Sequence, residues 1–253
     1  MTHKAVKVMS FNISSGRRMD GELDLKLTAK AIEEGGAAVV GLQEVDRNFS
    51  DRSSFLDQAK WLSERLDMEM AYGPNLIHRT GRKEQSEREY GNATLSRYPI
   101  QSSTNHDLSS VEEHPEDFEP RGLLEAMIDA DGFCFSFYNT HLSLTDKEVE
   151  RNLTEILVLT RENPLPKVLV GDFNASPESE HIQRFTRHFH NAFGETGPYP
   201  ETYKMEGDHG KKIDYIFHDP HFSAEDTWTV SSEASDHVPI AVELKYLQKN
   251  NNP

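Results

Sequence analysis

The chain has 253 residues and a formal net charge of −16, from 43 acidic and 27 basic residues. This length supports a substantial buried core, and no stretch approaches the roughly 20 apolar residues of a membrane-spanning helix. An acidic chain lacks the basic surface typical of nonspecific nucleic-acid binding, although it does not exclude a nuclease whose carboxylates hold cations. The single cysteine, Cys134, excludes an internal disulfide and a thiolate metal cluster. The first residues lack the apolar core of a signal peptide, so we expect a cytoplasmic protein.

Strand-like and helix-like segments alternate from the first residues onward. In chain order, the apolar patterns predict a strand at 5–13, a helix at Leu25–Glu34 ending at Gly35-Gly36, a strand at 37–45, a helix at Ser54–Leu66 and a strand at 90–100.

The second half begins with a predicted hairpin at 122–142, which turns at Asp131-Gly132. A capping-box pattern, Thr145 with Glu148, predicts the start of a helix. The remaining predicted elements are a strand at 167–174, a helix starting at Ser176-Pro177, and strands at 211–219, 222–230 and 237–247. Hairpins mixed with strand–helix units indicate mixed sheets, and the chain shows no linker, so we expect one domain over residues 1–253.

Polar side chains follow one predicted strand after another. The set consists of Asn12, Glu44, Asn92, His141, Asp172, Asn174, Asp214, Asp236 and His237. Any one of them is ordinary at a strand end, but their joint occurrence predicts a functional site. Asp172 and Asn174 would share a face if the strand continued, and such a pair suits either a metal and a phosphate or a turn.

Seven segments of the chain resemble the endonuclease/exonuclease/phosphatase superfamily in the same order. They are SFNI, GLQEV, GNATLSRYPI, NTHL, GDFNASP, IDYIF and SDHVPI, and the similarity runs from about Val8 to Leu244. The resemblance implies an α/β (α+β type) fold, a four-layer sandwich of two mixed β-sheets flanked by helices, with the site at one end of the sheets. It also implies a divalent cation, Mg²⁺ or Mn²⁺, held by carboxylates.

The resemblance and the chemistry of the residues together assign expected roles around the cation. Glu44 supplies a hard oxygen ligand, and Asp236 completes that site or a second one. His237 is the expected general base, with Asp214 orienting its ring. Asp172 and Asn174 are expected to position the attacking water and the phosphate.

Further residues are expected to contact substrate. Asn12 would hydrogen-bond the phosphate or orient Glu44, and Asn92 lies in the same group of strand ends. His141 would donate to a phosphoryl oxygen or to the leaving group, and Arg121 begins the predicted hairpin within reach of the site.

One position departs from the family pattern. Deoxyribonuclease-like and deadenylase-like members carry a second glutamate just before the segment equivalent to GNATLSR, where this chain has Tyr90, with Glu89 one residue earlier. Since neighbouring strand residues face opposite ways, either a bulge turns Glu89 into the site or the chain lacks this acid. A basic loop at 78–89 is either a phosphate clamp or a solvated loop. An acidic loop at 112–120 either repels long polyanions or is merely solvated.

These features predict a Mg²⁺-dependent phosphoric ester hydrolase whose substrate is a small or lipid-derived phosphodiester or phosphomonoester. The first alternative is a DNA or RNA nuclease, and the second is a non-catalytic binding member of the fold. A phosphate-ester substrate is the expected partner, and no feature indicates a protein partner.

Overall fold

The structure is a computed structural model that describes residues 4–79, 87–110, 119–204 and 210–247. Most of the basic loop (80–86) and of the acidic loop (111–118) therefore lies outside the described residues. In the part that is described, no helix is long and apolar enough to cross a membrane.

The described residues form twelve strands and five α-helices. The strands are β1 Ala5–Asn12, β2 Val39–Arg47, β3 Glu69–His78, β4 Arg88–Ser96, β5 Ile100–Leu108, β6 Arg121–Asp129, β7 Cys134–His141, β8 Lys167–Asp172, β9 His190–Asn191, β10 Asp214–His218, β11 Phe222–Thr229 and β12 Ile240–Tyr246. The helices are α1 Leu25–Gly35, α2 Gln58–Leu66, α3 Asp146–Glu162, α4 Glu180–Phe185 and α5 Ala192–Thr196.

The strands make two mixed six-stranded sheets that pack face to face. The first sheet has the order β11-β12-β1-β2-β4-β3, and the second has the order β5-β6-β7-β8-β10-β9. Apolar side chains such as Val8, Phe137 and Val170 fill the space between the sheets. A second cluster packs α1 and α2 on the outer face of the first sheet, and a third packs α3 and α4 on the outer face of the second. The predicted α+β sandwich of two mixed sheets flanked by helices is confirmed.

The register of the strands brings the polar residues at their ends close together. In the second sheet, parallel β7 and β8 pair His141 with Asp172, and antiparallel β8 and β10 pair Asp172 with Asp214. Gly171 permits this close approach, because a Cβ there would lie 2.0 Å from the carbonyl oxygen of Thr140.

Two predicted helix starts differ from the structure. Helix α2 starts at Gln58 rather than Ser54, because Asp57 caps it by accepting from the Lys60 N–H, and Phe55 lies in the left-handed region at φ 53°. Helix α4 starts at Glu180 and not at Ser176-Pro177, since the capping hydroxyl that accepts from the Ile182 N–H belongs to Ser179.

Strands β3 and β5 were not predicted from the sequence. Strand β3 carries Pro74 and an irregularity in its pairing with β4 between Pro74 and Leu76, which breaks the two-residue alternation. Strand β5 is mostly polar and exposed, so its only signal is the pairing with β6.

Candidate active site

Asn12, buried at the end of β1, connects three of the predicted site residues. Its Nδ2 donates to Glu44 Oε1 at 2.9 Å and to Asp172 Oδ2 at 3.1 Å, and it lies 3.4 Å from His237 Nε2. The amide is oriented by its oxygen, which accepts from the Ser14 N–H at 3.0 Å. Asn12 therefore fixes the Glu44 carboxylate relative to the buried acid and histidine.

Glu44 reaches this position through a bulge in β2. The register of β2 against β4 shifts between Leu42 and Val45, and Glu44 adopts φ 57° within the strand. A bulge re-aims a side chain, and a non-glycine residue in the left-handed region costs about 1–3 kcal/mol, a strain that is concentrated at functional sites. Burial raises the pKa of Glu44, and the charges of Asp236 and Glu119 raise it further, although Asn12 and His237 oppose this.

His237 and Asp214 form a buried pair. The ring Nδ1 lies 2.9 Å from Asp214 Oδ2, and Nε2 lies 3.6 Å from Asp172 Oδ2. Burial alone would lower the pKa of His237, but the charges of Asp214 and Asp172 outweigh it and raise this pKa to about 10. At neutral pH this pKa makes the ring an imidazolium, paired with the carboxylate of Asp214.

Asp172 and Asn174 come together through a turn and not along a strand face. Strand β8 ends at Asp172, Asn174 has φ 49°, and its N–H donates to Asp172 Oδ1 at 3.0 Å. Burial, with a further contribution from Asp214, raises the pKa of Asp172 to about 7. The turn interpretation of this pair is therefore confirmed, and a role for the pair in binding a metal and a phosphate stays a prediction.

His141 lies beside this turn. Its Nε2 is 3.1 Å from Asn174 Nδ2 and 3.5 Å from Asp172 Oδ2. Burial lowers the pKa of His141 well below its usual range, and the charges of Arg121 and His237 lower it further. A neutral ring donates through only one of its nitrogens.

Two groups of side chains fit a divalent cation. The first group consists of Glu44 and Asp236. Asp236 is half-buried, with Oδ1 3.2 Å from the Ser235 hydroxyl oxygen, and its charge acts on Glu44. Burial is the main cause of the raised pKa of Glu44, and the charge of Asp236 adds to it. A hard cation bound to both carboxylates would favour the ionised form of Glu44. The second group consists of Asp172, Asp214 and His237, whose potential ligand atoms all lie within 4.8 Å of one another. Asp214 Oδ1 is buried and has no partner among the described residues.

The remaining predicted substrate residues lie toward β4 and β6. Asn92 is buried, with Nδ2 3.4 Å from the Gly122 carbonyl and Oδ1 unpartnered in the described residues. Arg121 donates from Nη1 to Glu119. Within the described part of the chain, neither residue makes a hydrogen bond or an ion pair with the cluster around Asn12.

Glu89 does not enter the site. It faces Arg47, with 3.2 Å between Glu89 Oε2 and Arg47 Nη1, and β4 runs without a bulge from Glu89 onto Tyr90, opposite Asp46. Tyr90 is buried. Burial raises the pKa of its hydroxyl well above the usual range, and the charges of Glu44 and Glu119 raise it further. No bulge turns Glu89 into the site, so the chain lacks the second glutamate of deoxyribonuclease-like members.

Two contributors at the site were missed from the sequence. The ring of Tyr203 lies 4.8 Å from that of His237. The Ser235 hydroxyl donates to the Asn12 carbonyl at 2.8 Å and accepts from the His237 N–H at 3.1 Å. Ser235 stands inside the SDHVPI segment, which was a usable signal. Tyr203 had none, because only the tertiary fold brings it to His237.

Comparison with known proteins identifies the class that this fold and site define. The profile of the Endonuclease/Exonuclease/phosphatase family matches residues 9–237, and the chain belongs to this family. Its members are typically phosphoester hydrolases, and they include phosphatases and nucleases.

Individual relatives are more distant. The uncharacterized protein YbhP of Escherichia coli K12 is 28% identical over 183 residues, which cover 66% of each chain. An endonuclease/exonuclease/phosphatase from Beutenbergia cavernae DSM 12333 superposes with a TM-score of 0.80 at 22% identity, covering 96% of this chain and 72% of that one. The mannosyl-6-phosphatase Bt3783 of Bacteroides thetaiotaomicron VPI-5482 superposes with a TM-score of 0.73 at 19% identity, covering 94% and 99%. At these identities the structural matches establish the shared fold.

Proposed function

We propose that the protein is a divalent-cation-dependent phosphoric ester hydrolase acting on a small or lipid-derived phosphate ester. The observation that carries the proposal is the buried His237–Asp214 pair, with Nδ1 2.9 Å from the carboxylate and Asp172 and Asn12 on the other side of the ring. Phosphoester hydrolysis needs an activated water and fixed charges around the phosphoryl oxygens, and this arrangement offers both.

The side chains divide into water-activating and phosphate-binding groups. Asp214 fixes the ring of His237 so that Nε2 faces Asp172, and the His237–Asp214 pair accepts the proton of the attacking water. Because the pair is protonated when no cation is bound, His237 must lose its proton before it can act as a base. Asn12 donates both of its amide hydrogens within the site and so orients the carboxylates of Glu44 and Asp172. Asn174 would position the phosphate beside Asp172, and His141 would donate to a phosphoryl oxygen or to the leaving group.

Glu44 and Asp236 would hold the cation, with Mg²⁺ or Mn²⁺ as the expected ion. When bound, the ion would supply charge stabilisation for the phosphoryl oxygens and, through its positive charge, would favour the neutral form of His237.

The acidic surface supports a small or lipid-derived substrate. A net charge of −16 repels long polyanions. The family likeness to a mannosyl-6-phosphatase is consistent with a small substrate as well.

The experiment that tests the proposal is cation-dependent hydrolysis on a panel of esters. The panel contains p-nitrophenyl phosphate, bis-p-nitrophenyl phosphate, sphingomyelin, a phosphoinositide, RNA, and single-stranded and duplex DNA. We expect turnover with Mg²⁺ or Mn²⁺ that falls at least about 100-fold in His237→Ala. His188→Ala, which changes an exposed histidine in the turn after α4, is the matched control and should keep full activity.

Two results would contradict the proposal. One is equal activity in wild type and His237→Ala. The other is the absence of turnover on every ester by folded protein that binds Mn²⁺ in calorimetry. A preference for RNA or DNA would instead select the nuclease alternative.

A further inference from the structure

Arg121 is a buried cation at the edge of the site with unused donor capacity. Its side chain is only 7% exposed, and in the described residues its hydrogen-bonded partner is Glu119, which accepts from Nη1. Its Nε is buried without a partner. Arg121 is the first residue of β6, and its guanidinium charge acts on both His141 and Tyr90. A buried guanidinium fork of this kind suits the oxygens of a phosphate.

Glu119 forms an ion pair with Arg121 at the edge of the site. Its carboxylate is 37% exposed, and its charge acts on Glu44 and Tyr90. Glu119 is therefore attracted by Arg121 and repelled by Glu44. An anion that fits the guanidinium better than this carboxylate would replace it.

Tyr90 adds a neutral donor beside Arg121. Its ring is buried and packs against the guanidinium of Arg52 at 5.2 Å. The hydroxyl has no hydrogen-bond partner among the described residues, and the charges of Glu44, Glu119 and Arg121 act on it. Since it stays protonated, it is available as a donor to a ligand oxygen.

Three pairs of side chains are candidates for contact with the phosphate: Glu44 with Asp236 and their expected cation, His141 with Asn174, and Arg121 with Tyr90. The phosphate of a monoester has three free oxygens, one for each pair. A diester has only two, because the third oxygen carries a carbon substituent, which accepts hydrogen bonds poorly and needs space.

We infer that Arg121 and Tyr90 form a specificity subsite for the third free oxygen of a terminal phosphate, so that the substrates are phosphomonoesters, and that Glu119 occupies Arg121 until the phosphate arrives. This inference rests on the proposed function and narrows it. It also accounts for a buried arginine whose only described partner is a replaceable carboxylate.

The decisive experiment compares kcat/KM for p-nitrophenyl phosphate and bis-p-nitrophenyl phosphate, which share a leaving group. Wild type should prefer the monoester at least 10-fold. Arg121→Gln should lower the monoester value about 10- to 100-fold and the diester value less than about 3-fold, since only the monoester has the oxygen that Arg121 contacts. Tyr90→Phe should act in the same direction with a smaller effect. Tyr72→Phe, which removes a hydroxyl bonded to the Val45 carbonyl, is its control.

A binding measurement decides the question without turnover. In calorimetry on Mn²⁺-loaded protein at pH 8, inorganic phosphate should bind at least 10-fold more tightly than dimethyl phosphate. Arg121→Gln should remove this difference, and Glu119→Gln should tighten phosphate binding. Glu33→Gln is the control for Glu119→Gln, because it removes one carboxylate from an exposed pair with Arg65. If Arg121→Gln fails to fold, the inference is tested with Arg121→Lys and with the preference of wild type for inorganic phosphate over dimethyl phosphate.

Equal losses on both esters in Arg121→Gln, or a wild-type preference for the diester, would overturn the inference while leaving the hydrolase function intact. If wild type hydrolyses neither ester, the proposed function fails on these substrates. In that case the affinities for inorganic phosphate and for dimethyl phosphate support or overturn the subsite by themselves.

Discussion

Replacing Asp214 by asparagine should change the charge state of His237 while keeping the shape of the site. Asp214 Oδ2 lies 2.9 Å from His237 Nδ1, and both side chains are buried. Asparagine has nearly the same volume and still accepts a hydrogen bond from Nδ1, but it carries no charge. The variant therefore isolates the electrostatic contribution of this carboxylate.

The size of the effect follows from the pair geometry. A pKa of about 10 for His237, against 6.5 for a free histidine, corresponds to about 5 kcal/mol of preference for the imidazolium. A unit charge pair about 4 Å apart contributes about 4 kcal/mol at an effective dielectric constant of 20. Asp214 is closer to the ring than Asp172, whose Oδ2 is 3.6 Å from Nε2. We therefore expect the pKa of His237 to fall from about 10 to about 7 in Asp214→Asn.

The assay is the NMR titration of the histidine ring protons in cation-free protein between pH 5 and 11. His237→Ala assigns the resonance. Glu195→Gln is the matched control, because Glu195 lies 3.2 Å from the buried ring of His218 and its removal should not move the His237 titration. Turnover of Asp214→Asn should fall about 10²- to 10⁴-fold, the range of a misdirected general base.

The linked stability has a definite sign. A histidine pKa raised in the folded state stabilises the fold fully below pH 6.5, and this contribution is lost as the pH rises through about 10. Cation-free wild type should therefore lose stability between pH 7 and 10 more steeply than Asp214→Asn does. A wild-type His237 that titrates near 6.5, or one that still titrates near 10 in Asp214→Asn, would refute this reasoning.

Three further predictions concern the cation, the buried acid and the sheet. Glu44→Gln should weaken Mn²⁺ binding in calorimetry at least about 10-fold. Unchanged affinity would indicate that the cation binds at Asp172, Asp214 and His237 instead. Asp172→Asn should lower turnover at least about 100-fold. Because the pKa of Asp172 is raised to about 7, the folded cation-free protein loses stability as this acid ionises between about pH 4 and 7. The variant should therefore melt no lower than wild type at pH 8, and a clear loss of melting temperature would show that the charge stabilises the fold. Gly171→Ala should cost about 3 kcal/mol in urea unfolding, since its Cβ would meet the Thr140 carbonyl oxygen at 2.0 Å. Gly197→Ala, with no atom within 4 Å of the added Cβ, is the control, and equal effects would contradict the close approach.

The sequence determined the strands that are fully buried and the polar residues that end them. A run such as residues 167–172 has no solvent-exposed alternative, so local composition is sufficient to predict β8. The hairpin of β6 and β7 follows from the alternation of apolar residues around Asp131-Gly132, and the observed pairing of Ile128 with Phe135 agrees with it. The Thr145–Glu148 pattern also predicted the start of α3, since Thr145 is the N-cap residue of that helix, although its hydroxyl makes no capping hydrogen bond to the helix backbone.

Only the tertiary structure decided which polar residues meet and which way they face. Glu44 points into the site because a bulge interrupts β2, and nothing in GLQEV specifies that bulge. Tyr90 takes the place expected for an acid because β4 keeps its register and directs Glu89 to Arg47. Strand β5 needed its partner β6, since a polar edge strand carries no apolar period of its own. Contacts between residues far apart in the chain, such as Asn12 with Asp172, depend on sheet packing, and packing has no signature in a local window of sequence.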